Sequence, residues 1–262
     1  MRITVITPSY NQGEFIERTI RSVLDQDWAD LEYFVVDGGS TDESVDVIRR
    51  YESDISWWVS EPDEGQTHAL NKGLARATGE LICYLNSDDY YLPRAFERAV
   101  GALDRSGASW VAGASRFVDE NGEVTEVWRP DLPSGPRRSW IFDPWGVPQP
   151  SSFWRRELFD RLGPFREDMD YVFDTEHALR LVFAGAMPAI VDDELAVRVV
   201  HPAAKSADSR EFIKESRRIA SLYASELKAG DRAKLNLSRL LRRVGLFGVY
   251  AHVSPARIGQ RR

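Results

Sequence analysis

Short apolar runs alternate with amphipathic stretches through the first third of the chain, and this alternation restricts the fold more than any other feature. The apolar runs have the length of strands, and the stretches between them carry apolar residues at helical spacing. Strands and helices joined by short connections form βαβ units, which build parallel sheets covered by helices. The pattern predicts strands at Ile3–Ile6, Leu31–Val36, Ile55–Val59 and Leu81–Leu85, and helices at Glu14–Asp25, Glu43–Tyr51 and Thr67–Arg76.

A polar cluster follows each of the four predicted strands. In parallel α/β sheets, ligands bind in the crevice outside the carboxyl ends of the strands. The clusters therefore predict a binding site along one edge of the sheet, assembled from four separate loops. These loops are Pro8–Asn11, Asp37–Asp42, Ser60–Gly65 and Asn86–Asp89.

The segment Asn86-Ser87-Asp88-Asp89 is the strongest candidate for chemistry, because it directly follows the apolar run Leu81–Leu85. Carboxylates at the rim of a hydrophobic strand are costly unless a positive group meets them. Oxygen ligands suit Mg²⁺ or Mn²⁺, and such an ion would bridge to the diphosphate of a substrate. A polar turn without a metal is the alternative interpretation of these residues.

The loop Asp37–Asp42 is the second candidate. An aspartate at a strand end can accept a hydrogen bond from a base or a ribose, and Gly38 and Gly39 allow a ligand to approach the backbone. The same loop could instead form only a turn and a helix cap, with Ser40 or Thr41 as the capping residue. The sequence contains no Gly-x-Gly-x-x-Gly motif and no P-loop lysine, so an ordinary dinucleotide or ATP cradle is not supported.

An acidic stretch at Glu167–Glu176 is the third candidate. One of its carboxylates could act as a general base that takes a proton from an acceptor hydroxyl. The alternative is a solvated helix start, where acidic residues are favoured by the helix dipole.

The distribution of charge limits the partners of the chain. The net charge is −7, yet residues 205–262 hold fourteen Lys and Arg against five Asp and Glu, so the rest of the chain is strongly acidic. An acidic body argues against nucleic acid as a partner and favours a cation wherever a diphosphate binds. A single cysteine, Cys83, lies in an apolar run, which excludes a disulfide framework and predicts a buried thiol.

The basic region 206–262 is predicted to form two or three helices. Within it, Leu237–Val249 interleaves arginines with apolar residues, which fits either helices packed on the body or a basic surface that docks on a membrane. No run reaches the roughly 18 apolar residues of a membrane span. We therefore expect a cytoplasmic protein, soluble or peripheral at the inner face of the membrane.

Taken together, the motifs resemble those of the family 2 glycosyltransferases, which have the GT-A fold. The matching segments occur in the family's order over about residues 1–205. They are Thr7–Asn11, Val36–Asp42, Glu61–Gly65, Asn71–Gly73, Ala77–Glu80, Leu85–Asp89, Gln149–Arg156 and Asp174–Glu176.

The resemblance implies a role for each matching residue, with Mn²⁺ or Mg²⁺ as the cofactor. The donor would be a UDP-, dTDP- or GDP-linked sugar, and the acceptor a saccharide or a lipid-linked saccharide. The resemblance assigns the nucleotide sugar to Pro8, Tyr10, Asn11, Asp37, Gly38, Asp63, Lys72, Asn86 and Ser87, the metal to Asp88, Asp89 and His201, the acceptor side to Gln149, Trp154 and Glu176, and the role of catalytic base to Asp174.

The chain departs from the family pattern in two places. Asn86 stands where relatives often carry the first aspartate of the metal motif, so fewer protein ligands are expected for the metal. The run Asp174-Thr175-Glu176-His177 also differs from the commoner sequence, which leaves Asp174, Glu176 and Asp170 as candidates for the base, with Asp174 favoured.

The resemblance implies an α/β fold of the GT-A type, Rossmann-like, with a mostly parallel central sheet, flanking helices and a C-terminal helical extension. We expect a glycosyltransferase domain at 1–205, with a nucleotide-binding half at 1–100 and an acceptor half at 101–205, and the basic extension at 206–262. The expected reaction is inverting transfer of one sugar to a hydroxyl in bacterial cell-surface polysaccharide or glycolipid synthesis. A sugar nucleotidyltransferase and a non-catalytic sugar-nucleotide binder are the alternatives.

Overall fold

The computed structural model describes residues 1–130, 147–202, 204–205 and 209–223. The first half of this part alternates strands and helices in the predicted order. Its elements are β1 (Ile3–Ser9), α1 (Ile16–Leu24), β2 (Leu31–Asp37), α2 (Ser44–Arg50), β3 (Trp57–Ser60), α3 (Gln66–Arg76), β4 (Leu81–Tyr84), β5 (Tyr90–Tyr91) and α4 (Ala95–Ser106).

The second half is richer in antiparallel strands and ends in helices. A short 3₁₀ turn at Gln149–Ser151 precedes its third strand. Its elements are β6 (Trp110–Val118), β7 (Val124–Trp128), β8 (Ser152–Arg155), α5 (Glu157–Leu162), α6 (Phe173–Phe183), β9 (Ala189–Val199) and α7 (Ser209–Leu222).

The described strands form one sheet of nine, in the order β3-β2-β1-β4-β8-β6-β9-β5, with β7 paired antiparallel to the later residues of β6. The strands β3, β2, β1 and β4 are all parallel. Beyond β4 the sheet is mixed, because β8 runs antiparallel to both of its neighbours while β6 and β9 are parallel to each other. This confirms the predicted α/β sheet, in which β3, β2, β1 and β4, from the first half of the chain, are all parallel.

The parallel register aligns the strand ends that carry the polar clusters. Ser9 is opposite Asp37, and Asp37 is opposite Ser60, so the last residues of three strands form one row. The chain proceeds from β1 outward to β2 and β3 and then returns to place β4 on the other side of β1. The crevice between the ends of β1 and β4 is therefore the topological switch point, where such sheets bind ligands.

A separate hydrophobic core covers each face of the sheet. On one face, Ile6 and Tyr84 pack with residues of α3, α5 and α6. On the other face, Val5 and Cys83 pack with residues of α1, α2 and α4. Burial on both faces explains why these strands are continuous apolar runs rather than alternating ones. Burial also raises the pKa of the Cys83 thiol to about 12, in keeping with the predicted buried thiol.

The structure corrects one expectation, the capping of α2, and does not describe the residues of another. Neither Ser40 nor Thr41 caps α2, because Glu43 is the N-cap residue and Asp42 accepts the N–H of Ser44, at the start of the helix, at 3.0 Å. The hydroxyl of Ser40 is used inside the preceding loop instead, where it donates to Asp37.

The amphipathic segment Leu237–Val249 lies outside the described residues, whereas α7 confirms a helix near the start of the C-terminal region. Among the described residues, no helix combines the length and the apolar composition needed to cross a bilayer.

The close approach at Gly79 gives a test of this packing. A Cβ atom at Gly79 would lie 2.4 Å from the Thr4 hydroxyl and 2.7 Å from the Thr4 backbone nitrogen, where only a shift of the backbone can relieve it. We expect Gly79→Ala to lower the free energy of unfolding by about 1–3 kcal/mol, measured by urea denaturation.

Gly101→Ala is the matched control, because Gly101 lies inside α4 and its new Cβ would meet only the flexible end of Arg105. Alanine is the better helix former, so this variant should be about 0.5–1 kcal/mol more stable than the parent. Equal effects of the two substitutions would contradict the packing at Gly79.

Candidate functional site

The loops that follow β1 and β2 are joined into one structure around Asp37. The Asp37 carboxylate is 1% exposed and accepts hydrogen bonds from the backbone N–H groups of Gly39 and Ser40 and from the hydroxyls of Ser40 and Ser60. The Ser40 hydroxyl in turn accepts the N–H of Asn11 at 2.7 Å. Asp37, which was predicted to bind the donor nucleotide, thus holds its own loop together through these hydrogen bonds.

The end of β1 presents an aromatic ring to solvent. Tyr10 is 60% exposed, whereas Pro8 is buried beneath it in the strand. Asn11 adopts a left-handed conformation (φ 51°), and its side-chain oxygen accepts the N–H of Thr41 at 2.9 Å. This turn exposes the face of Tyr10 at the strand end, where a nucleobase could stack on it.

The third predicted loop contacts the second at Gly38. A Cβ atom at Gly38 would lie 2.9 Å from an Asp63 carboxylate oxygen, so only glycine admits Asp63 at this distance. Asp63 also accepts the N–H of Gly65 at 2.8 Å. Lys72 of α3 pairs with Glu61 at 2.9 Å, so the structure places this predicted nucleotide contact in an ion pair beside the same loop.

Asp88 and His201 meet at the end of β4. The Asp88 carboxylate lies 3.2 Å from His201 Nε2 and keeps 19% of its side chain exposed. His201 is almost fully buried, and its ring stacks on Phe15 with centroids 4.5 Å apart. The structure therefore brings together two of the three predicted metal ligands, although they are separated by more than a hundred residues in the chain.

Asp89 points away from this pair. One of its carboxylate oxygens accepts the N–H of Val199 at 3.1 Å and the other faces the Asn86 amide at 3.4 Å. Burial, together with the neighbouring Asp88 carboxylate, raises the pKa of Asp89 well above the usual aspartate range. Asp89 therefore holds the end of β9 against the loop Asn86–Asp89. With both carboxylate oxygens used in this way, it is not placed as a direct metal ligand. Ser87 is buried, and its carbonyl accepts the hydroxyl of Thr19 at 2.9 Å.

The fit of a metal can be judged from this donor set. No cluster of three or more His, Cys, Asp and Glu side chains suited to a metal occurs within the described ranges. Two side chains, Asp88 and His201, do converge, and the Asp88 carboxylate is partly exposed in the loop after β4. Mg²⁺ typically binds through one or two carboxylates and completes its shell with substrate phosphates and water, so Asp88 fits an ion brought in with a diphosphate. The imidazole of His201 suits Mn²⁺ as a ligand better than the harder Mg²⁺.

Amide side chains link this motif to the middle of the chain. The side-chain amide of Gln66, on α3, donates to the side-chain oxygen Oδ1 of Asn86 at 2.6 Å, and the Asn86 amide nitrogen faces Gln149 Oε1 at 3.4 Å. Gln149 donates to the Tyr84 carbonyl at 2.9 Å. Gln149, predicted for the acceptor side, therefore lies beside Asn86 in the motif Asn86–Asp89, which is predicted to bind the donor and its metal.

Asp174 lies in the first turn of α6. It is half-buried, and one of its carboxylate oxygens accepts the N–H of Thr175 at 2.6 Å. Burial raises the pKa of Asp174, opposed by the hydrogen bond from Thr175 and by the charge of Arg198. The charge of Arg198 also opposes the rise in the pKa of Asp89, so this arginine acts on both the Asn86–Asp89 motif and the candidate base.

Two residues expected on the acceptor side are enclosed. Trp154 is 3% exposed and packs among Tyr84, Phe159 and Phe165 in the core. Glu176 is 1% exposed, accepts the Tyr223 hydroxyl at 2.7 Å and pairs with Arg180 at 3.2 Å. The structure therefore does not bring either side chain to a surface that an acceptor could reach.

Two further polar groups of the crevice were not expected from the sequence. Lys205 donates to the Asp170 carboxylate at 2.5 Å and to the side-chain oxygen Oε1 of Gln66 at 3.2 Å, and so joins the start of α3 to the loop before α6. Arg198 lies three residues before His201, on β9. Proximity to His201 in the sequence was the one available signal for both, since a lone basic residue carries no motif of its own.

A comparison with known proteins identifies the family of the chain. The family model described as glycosyl transferase family 2 matches residues 4–163. An uncharacterized glycosyltransferase of Mycobacterium tuberculosis is 31% identical over 191 residues, which cover 68% of each chain. A putative teichuronic acid biosynthesis glycosyltransferase, TuaG of Bacillus subtilis, is 38% identical over 122 residues, which cover 45% of this chain and 48% of TuaG.

Solved structures share the fold. Residues 1–349 of S. aureus TarS in complex with UDP-GlcNAc superimpose with a TM-score of 0.70 at 19% identity, over 88% of this chain and 69% of that one. The mannosyltransferase PcManGT from Pyrobaculum calidifontis, in complex with GDP-Man and Mn²⁺, gives a TM-score of 0.61 at 20% identity, over 98% of this chain and 85% of that one. At such identities the likeness shows the fold, and it confirms the GT-A architecture.

The family model covers more than half of the chain, and its span contains the Asp37 loop and the Asp88 motif. The relatives and the solved structures agree with it. The chain belongs to glycosyl transferase family 2.

Proposed function

We propose that this glycosyltransferase moves a single sugar from a nucleotide-diphosphate donor to an acceptor hydroxyl, with inversion at the anomeric carbon. The observation that carries the proposal is the Asp88–His201 pair at the topological switch point. A partly exposed carboxylate held against a buried histidine, at the point where such sheets bind ligands, suits a metal-bound diphosphate.

The donor's nucleotide would lie over the ends of β1 and β2. Tyr10 offers an exposed ring for the base, and the Asp37 loop offers backbone at Gly38. Asp63 adds a carboxylate within reach of the same glycine. These groups line one continuous edge, because the parallel register aligns the strand ends.

Asp88 and His201 would hold a divalent metal, which when bound neutralises charge that develops on the departing nucleoside diphosphate. The solved complex of PcManGT with GDP-Man and Mn²⁺ supports this assignment in a protein of the same fold. Arg198 and Lys205 add positive charge to the same crevice. Together these groups favour the charge separation of the transfer step.

Asp174 would act as the general base. Its carboxylate takes the proton of the acceptor hydroxyl as that oxygen forms a bond to the anomeric carbon and the bond to the diphosphate oxygen breaks. Burial raises its pKa, which makes the ionised carboxylate a stronger base than an exposed aspartate. The enclosed position of Glu176 and the ion pair of Asp170 with Lys205 favour Asp174 over both alternatives.

The substrate class follows from relatives. TuaG is named for teichuronic acid biosynthesis, and the TarS complex contains UDP-GlcNAc. These likenesses support a UDP-linked donor and an acceptor in a bacterial cell-surface polysaccharide or glycolipid. GDP- and dTDP-linked sugars are the other donors to be tested.

The donor site can be tested by thermal unfolding with UDP, dTDP, GDP and their sugar conjugates, each with and without Mn²⁺. One nucleotide should raise Tm by a few degrees and need Mn²⁺ to do so, as expected at about a hundredfold excess over Kd. Asp88→Ala should abolish the shift, whereas Asp104→Ala, an exposed aspartate on α4, should keep it. A full shift in Asp88→Ala would contradict the proposed metal site.

The base can be tested by Asp174→Asn, which keeps the shape of the side chain and removes its basicity. We expect transfer to the acceptor, or to water when the acceptor is omitted, to fall by about 10²–10⁴-fold, with nucleotide binding unchanged. Release of nucleoside diphosphate measures the rate, and NMR of the product reports the anomeric configuration. Asp170→Asn tests the alternative base and should keep much more activity than Asp174→Asn, since the Asp170 carboxylate is paired with Lys205.

The pH dependence offers a separate test. Because burial raises the pKa of Asp174, the base is protonated up to a higher pH than an exposed aspartate, and kcat/KM should rise with pH through that raised value. The charge of Arg198 lowers this pKa, so Arg198→Gln should move the acid limb to higher pH. Arg116→Gln, on the neighbouring strand β6 and paired with Glu194, should leave the limb in place. An unmoved limb in Arg198→Gln would contradict the assignment.

A further inference from the structure

Helix α7 holds the backbone that leads into α6. The carboxylate of Glu215 accepts the N–H groups of Asp170, Tyr171 and Val172, with nitrogen–oxygen distances of 2.9, 2.7 and 3.2 Å. These three residues precede α6, which begins at Phe173. A charged acceptor makes such hydrogen bonds stronger than neutral ones, so one side chain from 43–45 residues away fixes the entry into α6.

Other residues of this C-terminal segment attach on both sides of the same stretch. Arg218 donates to the Asp168 carbonyl at 2.5 Å and also bonds the Asp168 carboxylate. Tyr223 bonds Glu176, and Ile219 is 2% exposed within the core that α6 also lines. The docking of α7 therefore has its own hydrophobic anchor, separate from the hydrogen bonds of Glu215.

Asp174 lies two residues beyond the last amide that Glu215 holds. Its position depends on where α6 begins, because it occupies the first turn of that helix. A displacement of about 1 Å at a reacting group can cost on the order of a hundredfold in rate. Control of residues 170–172 is therefore control of the carboxylate that follows them.

We propose that Glu215 is a positioning residue for the transfer reaction, acting through the backbone of residues 170–172 to hold Asp174 in place. This inference rests on the proposed function, in which Asp174 is the base. It gives α7, at the start of the basic C-terminal region, a role in catalysis without contact to the substrate. Arg218 and Tyr223 brace the same stretch from either end.

Glu215→Gln is the variant that separates positioning from folding. It keeps the length of the side chain and leaves Ile219 in place, but the negative charge is lost. In either orientation of the amide, its NH2 group replaces an oxygen that lies 2.9 or 2.7 Å from a backbone N–H donor, where it cannot accept a hydrogen bond. Glu211→Gln is the matched control on the same helix, because Glu211 is partly exposed and pairs only with Lys214 among the described ion pairs. Glu215→Asp keeps the charge on a shorter side chain and should fall between the parent and Glu215→Gln.

The first measurement is hydrogen exchange of the full chain, followed by mass spectrometry of peptides that span residues 168–174. Exchange there should speed up by about tenfold or more in Glu215→Gln and stay at the parent rate in Glu211→Gln, with the β1–β2 peptides unchanged in both. Unchanged exchange in Glu215→Gln would overturn the proposal without any reference to activity.

The second measurement is steady-state transfer. In Glu215→Gln, kcat should fall by about tenfold or more while the KM for the donor stays within about twofold, because the donor edge is untouched. Faster exchange with the kcat of Glu211→Gln would overturn the role in positioning. If Asp174→Asn were fully active, the proposed function would fail instead, and the exchange data would still decide whether Glu215 holds this segment.

Discussion

The parallel register of β3, β2, β1 and β4 is the constraint on which the site depends. It places Ser9, Asp37 and Ser60 in one row. It also leaves a crevice between β1 and β4, where the order in which the chain adds strands to the sheet reverses. The loops that begin at this row supply Tyr10, Gly38 and Asp63, and the loop after β4 supplies Asp88. The loops then bond to one another through the buried Asp37 carboxylate, so that the edge is organised before any ligand arrives.

The second half of the chain supplies what this acidic edge lacks. Strand β9 leads to His201, which meets Asp88, and carries Arg198, whose charge acts on both Asp89 and Asp174. Lys205 then joins Gln66 to Asp170 across the crevice. A diphosphate could not approach so many carboxylates without compensating charge. The protein's own cations, together with a divalent metal on Asp88 and His201, would provide it in our proposal.

The sequence was most informative where both faces of a strand are buried, because continuous apolar runs such as 81–85 then mark strands directly. It also located the polar strand ends, since topology alone brings these together. It was least informative about which side chains are buried in the second half of the chain, where the sheet is mixed. Trp154 and Glu176 have residue types suited to sugars, yet both are enclosed, and the contact of Glu215 with residues 170–172 depends on tertiary packing that no motif records.

The central claim is that Asp88 and His201 hold a metal together with the donor's diphosphate at the switch point. Anomalous diffraction at the manganese edge tests it most directly, on crystals grown with Mn²⁺ and the nucleotide that stabilises the protein. We expect one anomalous peak at about 2.1 Å from an Asp88 carboxylate oxygen, in contact with the diphosphate. A bound nucleotide with its manganese on other residues, or with none at all, would contradict it.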